Sequence, residues 1–327
     1  MAQSPAVSVE EISDPALAGS GIDWVELDAV KLQSKPLLAR RVTVRLSEAT
    51  VLFHSVNQRV RTRTTVKAGH LAFAAFGPQA HGTLNGLPVR PGMLLAAAPG
   101  AEANFVVGAG WESVTFLLPQ QDIQAHLTAR RRRPGFHRPQ GLEVLHRNPQ
   151  RVLALFHWGK LLADTAARQP ELFNDLEPER CAAQVELVEI LLDALGGTSD
   201  FQPARSDRTR QARSLLVRKV EDHVLSHVGE ALSVTDLCRA AAVSERSLEY
   251  AFNEVLGLTP MAYLRRLRLH RARQALLAAR PGSTTVSAEA LNWGFWHLGE
   301  FSRDYKGCFG ESPSETLREG RMRVAAT

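Results

Sequence analysis

The sequence lacks the materials for several large classes of protein. No apolar run approaches the ~18–20 residues needed to cross a bilayer, so a membrane-spanning helix is excluded. Its three cysteines, Cys181, Cys238 and Cys308, stand far apart in no metal-ligand spacing. That odd, scattered set excludes a disulfide framework and reads as buried, reduced thiols. Met1 to Asp14 carries Glu10 and Glu11 where a secretory signal needs a basic start and an apolar stretch. A cytoplasmic protein with no membrane partner is therefore expected. Catalytic hallmarks are missing too. His54, His70 and His81 lack the close His-x-His pairing of an iron site built on a β-barrel. Gly19 to Gly21 and Gly108 to Gly110 lack the strand-loop-helix continuation of a phosphate cradle, and no serine elbow is present. No catalytic residue, metal ligand or cofactor is assigned, and the chain reads as a non-enzyme.

What is present fits a soluble chain of two domains, with 327 residues, 44% hydrophobic and 22% charged. Its excess of positive charge is not evenly spread. Residues 205–327 hold 19 Lys and Arg against 14 Asp and Glu, whereas residues 1–204 hold 20 of each, so the whole net +5 lies in the C-terminal part. A polyanion would meet that part. Residues 1–20 read as a flexible lead-in. From Trp24 to Leu118 short β-branched and aromatic runs, such as Val51 to His54, His70 to Ala74, Met93 to Ala96 and Ser113 to Leu118, alternate with Gly and Pro turns. Asn85-Gly86 fits a tight hairpin. A β-barrel or sandwich over 21–130 is expected, then a basic break at Arg130 to Arg133 and a helical connector over 149–196. In its last helix Val185, Val188, Leu192 and Leu195 recur at helical spacing and suit a dimer face. Gly196 to Asp200, with Pro203, reads as the start of a linker over 197–210.

The last stretch, 211–321, is dense in helix punctuation. Ser233 with Asp236 forms a capping pattern ahead of Leu237, Ala240 and Ala241. Ser244 caps a second helix with an apolar face of Leu248, Ala251, Phe252 and Val255, ending at Gly257. Its other face carries Arg246, Ser247, Glu249, Tyr250 and Asn253. Two short helices over about 234–256, the second polar outward, fit a major groove about 12 Å wide. The pattern recurs over 286–309. There Gly294 serves the turn, Leu298, Phe301, Tyr305 and Phe309 face inward, and Gly299, Glu300, Ser302, Arg303 and Lys306 face outward. Trp293 and Trp296 read as packing residues and His297 as a helix-start residue. Between the units, Pro260 to Ala279 reads as one helix of ~30 Å, which suits recognition helices set about one DNA turn apart. Its Arg265, Arg266, Arg268, Arg271 and Arg273 either meet phosphates or form ion pairs.

The segment from Ala290 to Pro313, supported by Leu256 to Pro260 and Arg268 to Ala272, resembles the signature of the AraC/XylS family of regulators. Within that family, Trp293 to Gly299 is most similar to regulators of ethanolamine utilisation and of aromatic-acid breakdown. The resemblance implies a seven-helix DNA-binding domain with two helix-turn-helix units behind an N-terminal cupin-like effector and dimerisation domain, an α+β chain overall. It places base-reading positions at Arg246, Glu249 and Tyr250 in the first unit and at Gly299, Ser302 and Arg303 in the second, with Ser247 and Lys306 beside them. Gly299 has no side chain to read a base, so the second unit leans on phosphates and DNA shape. Glu289 departs from the family, which carries an apolar residue there, and a buried carboxylate is costly without a partner. The resemblance further implies promoter DNA, RNA polymerase, a small-molecule effector and a second copy as partners, with activation of a catabolic operon as the outcome. The effector-binding residues are unknown. Two other readings stay open: a metal-free cupin-type enzyme fused to a DNA-binding domain, and a nonspecific architectural DNA-binding protein.

Overall fold

The alternating segments become antiparallel strands in a computed structural model, which describes residues 5–90, 92–119, 139–196 and 205–325. One sheet orders β1 (Val7–Ile12), β3 (Ala39–Arg45), β4 (Thr50–Val56), β11 (Trp111–Pro119), β6 (His70–Phe76), β9 (Met93–Ala97) and β12 (Leu142–His146). The other orders β2 (Val25–Lys31), β5 (Val60–Val66), β10 (Glu102–Val107), β7 (Gly82–Leu84) and β8 (Leu87–Pro88). The two sheets are not closed into one ring, so the arrangement is the sandwich alternative. Asn85 and Gly86 join β7 to β8 with φ of 47° and 82°, the pair of left-handed residues a two-residue hairpin requires. The basic break at Arg130 to Arg133 lies outside the described residues.

The expectation of a flexible lead-in over 1–20 is corrected from Val7 onward. β1 pairs with β3 along its whole length, from Val7 opposite Val44 to Ile12 opposite Ala39. Arg41, only 1% exposed, anchors this segment by donating to the Ala18 carbonyl at 2.7 Å and to the Glu10 carboxylate at 3.0 Å through Nε. A buried guanidinium needs all these acceptors, and they fix the chain that supplies them.

Successive residues on each strand face opposite ways, so each sheet has two uses. Outward from the first sheet, Val51, Phe53, Phe73, Val114 and Phe116 pack on three helices: α1 (Pro149–Arg168), α2 (Glu171–Asn174) and α3 (Glu177–Leu195). Gly159 lets α1 lie against β11, because a Cβ there would stand 2.6 Å from a Val114 methyl. The dimer stripe read on α3 is corrected. Its buried face is Ala183, Leu187, Val188, Leu191 and Ala194, which packs within the chain, leaving Val185 exposed. A helix beside a sheet buries a wider arc than one heptad stripe, and Val188 is spent on that contact.

Among the described residues seven helices follow: α4 (Arg205–Ser226), α5 (Val234–Ala241), α6 (Glu245–Leu256), α7 (Pro260–Ala278), α8 (Val286–Asn292), α9 (Leu298–Phe309) and α10 (Pro313–Ala325). The linker expected to reach 210 is shorter, since α4 begins at Arg205, where Asp207 is buried and paired with Arg90; residues 197–204 lie outside the described ones. Two cores form. Val217, Val220, Leu237, Leu248, Phe252 and Leu264 make the first, and Leu269, Leu276, Ala290, Phe301, Tyr305 and Leu317 make the second. α7 supplies both and is their common spine. The cysteines do not all match the buried reading: Cys308 is buried, Cys238 partly so and Cys181 exposed. Cys181 lies on the outward arc of α3, where nothing among the described residues covers it.

Candidate nucleic-acid interface

The first unit is set by its caps. The Ser233 hydroxyl accepts from the Asp236 N–H at 3.3 Å while the Asp236 carboxylate accepts from the Ser233 N–H at 3.0 Å, so both halves of the capping box close. α5 ends at Ala242, a non-glycine residue in the left-handed region at φ 58°. Strain of about 1 kcal/mol or more attaches to such a residue, and it turns the chain sharply into Ser244, which caps α6. Gly257, at φ 69°, closes α6. Leu248, Ala251, Phe252 and Val255 are buried as the spacing predicts, and Arg246, Ser247, Glu249 and Tyr250 are exposed. The exposed Arg246 and Glu249 make no hydrogen bond or ion pair with any described residue. Ser247 bonds the Ser244 hydroxyl at 2.9 Å, and Tyr250 lies under the Arg213 guanidinium, 4.3 Å from ring centre.

The second unit begins with α8, capped by the Thr285 hydroxyl, which accepts from the Ala288 N–H at 3.1 Å. Gly294, at φ 76°, makes the turn. α9 starts at His297, which makes no side-chain cap. Gly299, Ser302, Arg303 and Lys306 are all exposed, and Arg303 has no partner among the described residues. Two expectations are corrected. Trp296 is 59% exposed rather than packed, because Phe295 fills the inner position, its ring 4.9 Å from that of Phe301. Leu298 is likewise exposed, at the mouth of the same turn. Glu289 is half-buried, and the Thr284 hydroxyl donates to it at 2.7 Å, which relieves the cost of a carboxylate in that position. Ser312 and Glu315 form a further capping box for α10.

A family model for a helix-turn-helix domain matches residues 237–319. A protein described as a probable thc operon regulatory protein, from Rhodococcus erythropolis, is 42% identical over 115 residues, 35% of each chain. The XylDLEGF operon transcriptional activator 2 of Pseudomonas putida is 34% identical over 105 residues, which are 32% of this chain and 67% of that protein. The chain belongs to the AraC/XylS family. Of the thc regulator's own length the match spans about a third. The crystal structure of a probable AraC family transcriptional regulator from Rhodopseudomonas palustris shares 38% identity, covering 33% of this chain and 98% of that one with a TM-score of 0.30.

In this AraC/XylS chain the arginines of α7 serve mainly as internal ties. Arg265 pairs with Glu300 and Asp304 on α9, Arg268 donates to the Glu230 carbonyl at 2.9 Å, and Arg266 to Ser34 at 3.3 Å. Arg271 grips Asp28 of β2 at 2.6 Å. Arg273 is nearly buried against Asp14 and Glu311, each at 2.8 Å.

The structure also shows residues the sequence reading passed over. The outward face of the second sheet is the floor on which the helix-turn-helix domain sits. Arg61 of β5 pairs with Glu221 of α4 at 2.9 Å, both almost fully buried, and donates to Asn104 of β10 at 3.1 Å. The Tyr263 hydroxyl donates to the same Glu221, and burial, with the Glu221 charge behind it, pushes that phenol well above its ordinary range. Nearby, Lys31 at the end of β2 donates through Nζ to the Cys308 carbonyl at 2.9 Å and through its backbone to His270 Nε2 at 3.2 Å. That carbonyl lies in the last turn of α9, where a cation is favoured. Val30, Leu32 and Val106 join the first helical core. The signal was the charged alternation Arg61, Arg63 in β5, which reads as a solvated face unless its partners are known.

Proposed function

We propose that this chain is a sequence-specific DNA-binding transcription activator of a catabolic operon, responsive to a small molecule. The observation that carries the reading is the pair of short helices, α6 and α9, that present Arg246, Glu249 and Arg303 outward and unpartnered from two separately cored units. An unpaired guanidinium on such a helix matches the bidentate acceptors of guanine or a phosphate. Arg246, Glu249 and Tyr250 act on base edges. Ser302, Arg303 and Lys306, on a helix thinned by Gly299, act chiefly on phosphates. The relatives named as activators of the XylDLEGF operon support activation, with RNA polymerase as the downstream partner.

The chain acts in the cytoplasm, as a dimer and without enzymatic activity. The exposed Leu161 of α1 and Val185 of α3 support a contact between copies on the helical layer. A reporter promoter carrying a selected binding site tests the activity. Transcription should rise when the chain is supplied and stay at baseline with Arg246→Ala; a fall in transcription would make the chain a repressor instead. Sedimentation at micromolar concentration tests the dimer, and the mass of one chain, with and without DNA, would contradict it.

A further inference from the structure

Between the two sheets lies a cavity of about 170 Å³. Strand register assigns its walls. Leu52, His54 and Val56 face it from β4, Ala72, Ala74 and Phe76 from β6, and Thr62 and Thr64 from β5. Alanines and threonines on facing positions leave space that larger side chains would fill. Polar side chains on the wall include Thr62, Thr64, Ser113, Thr115, the His54 ring and the Trp111 indole N–H, which donates to Ser113; among the described residues it holds no carboxylate, ammonium or guanidinium.

His54 is the informative group. Desolvation, and behind it the Arg41 charge, pushes the imidazole down to about 3, so near pH 7 the ring is neutral with one donor and one acceptor. No described residue hydrogen-bonds it, and the part of the ring not covered by protein opens on the cavity. Arg41 itself is turned to Glu10 and to the Ala18 and Ser20 carbonyls. An anion in this enclosure would be buried without a counter-charge, at high cost, whereas a hydroxyl, amide or ketone would meet a ready partner.

The sheet that walls the cavity also carries the DNA-binding domain. In β5, Thr62 and Thr64 face the cavity and Arg61 and Arg63 face α4. In β2, Leu27 and Ala29 face the cavity and Asp28 faces α7. In β10, Ala103 and Phe105 face the cavity and Glu102 and Asn104 face away. One layer of backbone separates the two contacts, and close-packed layers pass small shifts on.

We propose that this cavity binds an uncharged, mostly apolar molecule on the order of ten non-hydrogen atoms, hydrogen-bonded to His54, and that occupancy changes DNA affinity through the shared sheet. This rests on the effector-responsive reading above and names the effector's chemistry. The test is equilibrium dialysis of the full-length protein with benzyl alcohol and phenylacetamide, against their anionic counterparts benzoate and phenylacetate.

A neutral probe should bind about tenfold or more tightly than its anion. His54→Phe should weaken that binding about threefold to tenfold, and Ala74→Leu, which fills the space, should remove it. The bound probe should shift the dissociation constant for a selected DNA site by about fivefold or more, and should not do so in Ala74→Leu. Equal or tighter binding of the anion, or no binding of either neutral probe, overturns the ligand class. Binding with unchanged DNA affinity overturns the transmission. Selective DNA binding by the probe-free protein is scored in the same preparation. Its absence beside intact probe binding would remove the proposed function and the transmission while leaving the ligand class, and its presence without probe binding would remove the cavity assignment alone.

Discussion

The first helix-turn-helix unit and the second differ in how their helices start, in what they show to solvent and in what holds them from behind. α5 opens on a closed capping box, and α6 on a serine cap with Arg246, Glu249 and Tyr250 displayed along it. α9 opens on His297 with no side-chain cap and displays Gly299 and Gly307 among Ser302, Arg303 and Lys306. A surface of long side chains reaches base edges; a thinned one lets the helix backbone approach the DNA backbone. Behind the first unit stands the buried pair of Arg61 with Glu221, and behind the second the bond from Lys31 to the Cys308 carbonyl. Under the proposed function, reading falls mainly to the first unit and gripping mainly to the second, while the sandwich braces both.

The largest expected effect breaks the bracing. Glu221→Ala strands the buried Arg61 guanidinium and the Tyr263 hydroxyl, and should cost about 3–5 kcal/mol in urea unfolding. Lys31→Met removes one charged hydrogen bond and should cost about 1–3 kcal/mol. Equal losses would mean that the two units are braced alike. On DNA, Arg246→Ala should lose about 1–3 kcal/mol at one base position and relax selectivity there. Arg303→Ala should weaken binding to all sequences alike and lower the salt slope by about 1. Loss of selectivity from Arg303→Ala instead would make α9 a reader too.

Smaller effects probe the caps. Ser233→Ala should cost about 1 kcal/mol, whereas His297→Ser should add stability by supplying a cap that α9 lacks; a loss from His297→Ser would show the imidazole at work there. Acid distinguishes the opening helices. Bonds from the Ser233 hydroxyl and N–H, with Arg239 next, hold the Asp236 carboxyl down to about 2 against an ordinary 3.8. A depressed folded value stabilises above the unfolded one, so this contribution is whole above about pH 4 and fades as the pH falls toward the folded value. α8 opens on the Thr285 cap without a capping box, and its first-turn Glu289 carboxylate accepts from the Thr284 hydroxyl and not from the cap N–H. Amide exchange should show α5 fraying first between pH 4 and 2, and simultaneous fraying would contradict the cap as the cause.

The parts legible in the sequence are those written within a few turns of chain. The caps at Ser233, Ser244 and Ser312, the glycines at 257, 294 and 310, and the buried faces of α6 and α9 around Phe252 and Phe301 follow from local spacing. Trp296 and Leu298 escape that logic, because a loop leading into a helix has no fixed period and Phe295 took the inner place. The stripe on α3 has the right period but faces two neighbours at once. Contacts between the domains join residues 160 positions apart for Arg61 and Glu221 and 277 for Lys31 and Cys308, beyond any local pattern. The cavity is harder still to read, since it depends on small residues meeting across two sheets.

Selection from random DNA by the full-length protein at about 150 mM salt, with nonspecific competitor present, is the most direct test of two-unit recognition. The predicted result is a strong sequence block under α6 and a weaker, shape-dependent block about one helical turn away under α9. A pool with no enriched sequence would contradict sequence-specific recognition and return the chain to the architectural or enzymatic readings.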